Sequence, residues 1–183
     1  MSIQDLENRI RQCQGCSLYQ SRTHTVVGRG STEAKLMFVG EAPGEQEDLT
    51  GQPFVGAAGQ LLSKYLTACG IDEDRVYICN ILKCRPANNR DPLPEEEQAC
   101  MGFLREQVRL IRPKLIVCLG RISAKRMIDP DFRITADHGK WYQKGNFRMM
   151  ALYHPSALLR DPSKREDMLK DMMEIARVLK EIE

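Results

Sequence analysis

Four short apolar runs, Lys35 to Val39, Val76 to Ile81, Leu115 to Leu119 and Phe147 to Tyr153, are separated by stretches patterned as helices. That alternation constrains the fold more than any other feature of the chain. Strands in turn with helices favour a parallel sheet covered by helices on both faces. The Leu115–Leu119 run is apolar almost without a break, as expected of a strand buried on both sides. The periodicity places helices at Ile3 to Cys13, Gly59 to Cys69, Pro94 to about Arg112, Ser123 to Met127 and Arg165 to Glu181. Pro94 opens its helix with Glu95, Glu96 and Glu97 in the first turn, where the helix dipole favours negative charge. The 183 residues are expected to form a single α/β domain over positions 1–183.

Ligand sites in such sheets lie outside the carboxyl ends of the parallel strands. Three of those ends carry polar residues. The first run stops at Gly40-Glu41-Ala42-Pro43-Gly44 and leads into a long polar loop carrying Phe54. The second ends at Asn80, whose side-chain amide can pair with the edge of a nucleobase. The fourth ends at His154-Pro155-Ser156, where an imidazole can donate to a developing oxyanion. Each has an ordinary alternative as a turn residue. Their convergence on one sheet edge is worth more than any one of them.

The cysteines form a second constellation. Of seven, Cys13-x-x-Cys16 is a thiolate pair, Cys84 lies in a proline- and asparagine-rich loop, and Cys100 follows in the next helix. Four thiolates suit either a structural zinc or an iron–sulfur cluster, and spacing alone does not choose. Cys69, Cys79 and Cys118 sit in apolar contexts and read as small hydrophobes.

Several classes are disfavoured. Gly28-Arg29-Gly30-Ser31-Thr32-Glu33 precedes its strand and lacks the third glycine of a dinucleotide fingerprint. No P-loop lysine motif, zinc-protease helix or nucleophile-elbow serine is present, and three histidines make a histidine metal centre improbable. A net charge of +2 permits DNA binding without arguing for it, and the charged run from Arg105 to Arg126 reads as solvated helix faces. The charged N-terminus has no apolar core. It reads as neither signal peptide nor membrane anchor, so a cytoplasmic or nucleoid-associated protein is expected.

Taken together, these residues resemble the family 4, iron–sulfur branch of the uracil-DNA glycosylases. The match runs through Cys13-x-x-Cys16, Gly40 to Gly44, Gly51-Gln52-Pro53-Phe54-Val55-Gly56, Asn80, Lys83-Cys84-Arg85-Pro86, Asn89-Arg90-Asp91-Pro92, Cys100 and His154 to Arg160. The resemblance implies a three-layer α/β/α sandwich with a central four-stranded parallel sheet. It also implies a [4Fe–4S] cluster on Cys13, Cys16, Cys84 and Cys100 that ties down the N-terminal segment. Phe54 would stack on a flipped uracil, Asn80 read its polar edge, the backbone at Ala42 add a contact and Glu47 orient the loop. His154 would hydrogen-bond uracil O2 and Glu41 position the attacking water, with Asn89 in support. Leu158 would be the wedge that fills the gap left by the flipped nucleotide, with Leu159 second. Lys83, Arg85 and Arg90 would meet phosphates.

The implied reaction is hydrolysis of the N-glycosidic bond of deoxyuridine in base excision repair. The implied partner is uracil-containing DNA, single- or double-stranded, acted on by a monomer with no membrane association. A sliding clamp or other repair proteins are left open as partners. A related branch bonds covalently to abasic DNA through a loop histidine and has Gln in place of Ala42. Here the loop between Cys84 and Cys100 holds no histidine, so covalent trapping is not expected. The competing readings are a non-catalytic iron–sulfur nucleic-acid-binding module and a zinc-stabilised α/β domain of unrelated function.

Overall fold

The computed structural model describes residues Met1–Glu183. Its sheet has six strands: β1 (Arg29–Gly30), β2 (Leu36–Gly40), β3 (Tyr77–Asn80), β4 (Leu115–Leu119), β5 (Tyr142–Lys144) and β6 (Phe147–Leu152). They lie in the order β1-β3-β2-β4-β6-β5. The β2–β3, β2–β4 and β4–β6 pairs are parallel, and β1 and β5 add antiparallel edges to β3 and β6. The four apolar runs are thus the inner strands of a mixed, six-stranded sheet, and the two edge strands are additions to the expected four. Neither edge strand has an apolar run to announce it. β1 is two residues long, and β5 is a hairpin arm turned at Gly145 with φ 57°.

Alternation along β2 explains why the sheet is buried on both sides. Leu36 and Phe38 join the core beneath α3 (Ala57–Ala68) and α8 (Arg165–Ile182), with Leu62, Leu66, Met168, Met172 and Ile175. Met37 and Val39 point the other way, to Cys100, Leu104 and Ile111 of α4 (Pro94–Ile111) and Ala124 of α5 (Arg121–Met127). Successive strand side chains face opposite sides, so an uninterrupted apolar run feeds two cores. The N-terminal helix α1 (Ile3–Arg11) buries Leu6 and Ile10 with Val27 against Phe103 and Leu110 of α4. Its cap is reciprocal: Ser2 Oγ accepts from the Asp5 N–H while the Asp5 carboxylate accepts from the Ser2 N–H. No helix is long and apolar enough to cross a membrane.

Short helices interrupt segments that read as loops. The stretch after β2 holds α2 (Glu45–Thr50), and His154 caps α7 (Pro155–Arg160), with the four-residue α6 (Ile134–Asp137) between β4 and β5. Each is under two turns, too short to express a 3.6-residue period in sequence.

Candidate active site

Parallel pairing brings the polar strand ends together. Asn80 closes β3 directly opposite Gly40, the last residue of β2, and Glu41 follows Gly40. His154 stands two residues beyond β6. All three line one cleft of about 690 Å³, together with Ala42, Glu47, Phe54 and Asn89. Two side chains converge over Gly40, where a Cβ would overlap both Asn80 Oδ1 and the Phe54 ring. Any larger residue at position 40 would displace the amide and the aromatic.

Asn80 is 2% exposed. Its Oδ1 is the one buried side-chain nitrogen or oxygen in the molecule without a hydrogen-bond partner. Buried polar atoms are nearly always paired, because an orphan forfeits about 1–3 kcal/mol. An unpaired acceptor facing the cleft therefore marks where a ligand donor belongs.

Phe54 sits beside it with φ 53°, a left-handed conformation that bulky residues rarely adopt. Two neighbours enforce that geometry. The Glu47 carboxylate accepts from the backbone N–H groups of Gly44 (3.0 Å), Val55 (2.9 Å) and Gly56 (2.7 Å). Arg29, itself paired with Glu73 at 2.8 Å, donates to the carbonyls of Pro53 (3.0 Å) and Phe54 (3.4 Å). The Phe54 and His154 ring centroids lie 6.0 Å apart.

His154 has a defined tautomer. Its Nδ1 accepts from the Ser156 N–H at 3.1 Å, with Ser156 Oγ at 2.7 Å. A backbone N–H can only donate, so the ring proton resides on Nε2. Burial, reinforced by Arg160 and opposed by Glu47, lowers the imidazole pKa to about 4. The ring is a neutral donor at physiological pH. Glu41 moves in the opposite direction, to about 7, through burial first and the negative charge of Asp91 second, with Arg121 opposing. Arg121 and Asp91 pair at 2.9 Å on the rim.

Asn89 reaches the cleft from a loop in which Asn88 and Asn89 have φ 54° and 56°, and its Oδ1 accepts from Arg85 Nε at 2.8 Å. Leu158 requires a correction. It is fully buried in the core beneath α3 and α8, so inserting it into DNA would mean unpacking that core, whereas Leu159 beside it is 44% exposed. Lys83 is corrected as well: at 1% exposed it cannot meet a phosphate. Of its companions, Arg90 is held by Glu96 at 2.7 Å.

The four sulfurs expected as ligands, those of Cys13, Cys16, Cys84 and Cys100, line one recess with Arg22 and Lys83. No group of three or more His, Cys, Asp or Glu side chains is arranged to hold a single metal ion. The recess nevertheless supplies hydrogen-bond donors to its sulfurs. Arg22 Nη1 donates to Cys84 Sγ at 3.3 Å and the Gly15 N–H to Cys13 Sγ at 3.3 Å. Hydrogen bonds to sulfur are a recurrent feature of iron–sulfur sites. Cys79 and Cys118 are buried core thiols in β3 and β4.

Residues 27–177 match the model of the uracil DNA glycosylase superfamily. Type-4 uracil-DNA glycosylases are among the similar proteins. That of Archaeoglobus fulgidus is 43% identical over 97% of this chain and 93% of its own. That of Thermotoga maritima is 43% identical over 91% and 89%. That of Sulfurisphaera tokodaii is 42% identical over 95% and 83%. The chain belongs to the type-4 branch of the uracil DNA glycosylase superfamily.

Arg29, Ser156, Gly120 and the Arg121–Asp91 pair support the residues that line the cleft in this superfamily member. Ser156 and Asp91 stand within the motifs of the resemblance, whereas Arg29, Gly120 and Arg121 lie outside them. Gly120 has φ 93°, and a Cβ there would come within 3.0 Å of His154 Cβ.

Proposed function

We propose that this chain is a monofunctional uracil-DNA glycosylase, which hydrolyses the N-glycosidic bond of deoxyuridine in DNA and releases uracil to leave an abasic site. The observation that carries this reading is the unpaired Asn80 Oδ1, buried between Phe54 and the bare Gly40. Uracil offers an N3–H to that acceptor and cytosine does not. A site with a buried polar partner left unmatched discriminates strongly against the wrong base.

Extruding the base costs a few kcal/mol, less from single-stranded DNA. The flipped uracil stacks on Phe54, its N3–H meets Asn80, and the backbone at Ala42 adds a contact. His154 Nε2–H donates to O2, where charge gathers as the N1–C1′ bond breaks. Glu41, as carboxylate, orients a water toward C1′ and favours the positively charged sugar. The water oxygen bonds to C1′, and its released proton balances the departing uracil anion. Glu47 orients the Phe54 loop and Asn89 supports the cleft wall. Leu159 is assigned as the wedge that offsets part of the unstacking cost. The four inner parallel strands form the platform for this chemistry.

Cys13, Cys16, Cys84 and Cys100 would hold a [4Fe–4S] cluster. Its contribution is a structural cross-link between the N-terminal segment, the Cys84 loop and α4 of a single domain. The remaining expectations are carried forward with this reading: a monomer acting on single- or double-stranded DNA in the cytoplasm. The deciding experiment uses a labelled single-stranded oligonucleotide with one uracil, followed by alkali. Scission at uracil, absent with thymine or cytosine in its place, is expected. Binding without scission by folded, iron-replete protein would replace the enzyme with a binding module.

A further inference from the structure

Lys83, at 1% exposed, is the most deeply buried charged side chain in the molecule, and its burial removes the phosphate contact expected of it. Its Nζ donates to the Asn80 carbonyl at 2.6 Å and to Gln107 Oε1 at 2.7 Å, and it has no carboxylate partner. Both acceptors are neutral. Gln107 is fixed in turn, donating to the Val27 carbonyl at 2.8 Å and the Tyr77 hydroxyl at 3.2 Å. A buried ammonium without a counter-charge is costly, and proteins pair such groups or place them beside anions. Lys83 lines the same recess as Cys84 and Cys100. Cys84 follows it directly in the chain. One residue therefore touches both the thiolate recess and the backbone of the residue that reads the base.

We propose that Lys83 is a positioning residue, whose ammonium is the counter-charge of the anionic cluster and in the same position fixes the Asn80 peptide so that its side chain meets uracil. Four thiolates on a [4Fe–4S] core of charge 2+ leave a net charge of −2, and Arg22 at Cys84 and Lys83 behind it supply two positive charges. The cluster thus stabilises the cation that orders the base-reading strand end, without taking part in the reaction. This inference rests on the glycosylase reading above and adds a role that reading does not need.

The test uses Lys83→Met holoenzyme, which keeps the side-chain length and removes the charge. Removing a nearby positive charge disfavours the more negative, reduced cluster, so the midpoint potential is expected to fall while iron content stays at the wild-type level. Affinity for free uracil, measured as product inhibition, is expected to weaken about tenfold or more, the scale of losing a hydrogen bond to a charged group. An unchanged potential, or unchanged uracil affinity at full iron content, overturns the proposal. If Lys83→Met does not accumulate as folded holoprotein, Gln107→Glu places a carboxylate against the ammonium. The potential should then fall with Lys83 still in place, and an unchanged potential again overturns the proposal. Wild-type protein that excises no uracil would instead remove the glycosylase reading itself.

Discussion

His154 and Glu41 carry opposite perturbations from the same cause. Burial disfavours charge on both, leaving a neutral imidazole and a carboxyl poised near neutrality. Single-turnover excision should therefore rise with pH up to about 7 as Glu41 ionises, then level off. His154 adds no inflection above pH 5. Asp91→Asn, by removing a negative neighbour of Glu41, should move that acid limb to lower pH. Stability should run the other way. The folded Glu41 carboxyl keeps its proton to about 7, whereas the unfolded one releases it near 4.5. Folding is then weakened as pH rises through that window, and Glu41→Gln should raise Tm at pH 8 more than at pH 4.5. Loss of an oxyanion donor costs about 2.7–4 kcal/mol of activation free energy, so His154→Ala should slow single-turnover excision about a hundredfold or more. Leu159→Ala should slow excision from duplex DNA more than from single strands, because only the duplex demands a wedge. Equal effects on both substrates would remove Leu159 from that role.

At the scale of elements, the short segments around the cleft depend on one another more than on their own propensities. Helix α3 starts at Ala57, and its third residue, Gly59, lies against the Phe54 backbone. By helix propensity alone, Gly59→Ala should gain up to about 1 kcal/mol. In this structure the added Cβ would overlap the Phe54 carbonyl carbon and oxygen. Urea denaturation should accordingly show destabilisation, accompanied by weaker uracil affinity as Phe54 is displaced. The same dependence explains what could be seen in the residues. β2, β3, β4 and β6 announce themselves because burial on both faces requires apolar residues throughout. α2 and α7 do not, since their ends are set by Glu47 capping Gly44 and by His154 accepting from Ser156. Glu41, Asn80 and His154 were legible because strand ends in parallel sheets share an edge. Arg29 was not, because its partners at Pro53 and Phe54 lie 24 and 25 positions away.

For the molecule as a whole, the Lys83–Leu93 loop lines both the thiol recess, through Lys83 and Cys84, and the cleft, through Pro86, Asn89, Arg90 and Asp91. Helix α1 is already held to α4 by Leu6, Ile10, Phe103 and Leu110, so the fold does not rest on a cluster alone. Cys84→Ala should lose the iron absorbance and lower Tm while retaining near-native far-UV circular dichroism. Cys69→Ala, in the half-buried C-cap of α3, should change neither. Unchanged iron content in Cys84→Ala would remove that residue from the ligand set.

The sequence by itself determined the inner strands, the helices that cover them and the motif residues placed around the cleft, because periodicity and strand-end position are local properties of the chain. The tertiary structure decided which side chains remain free to act. Leu158 and Leu159 are adjacent and chemically identical, yet only packing against α3 and α8 buries one and exposes the other. Lys83 reads as a surface cation until the fold encloses it between Asn80 and Gln107, beside the thiol recess. Burial and charge proximity are sums over residues distant in sequence, and only the folded chain brings those residues together.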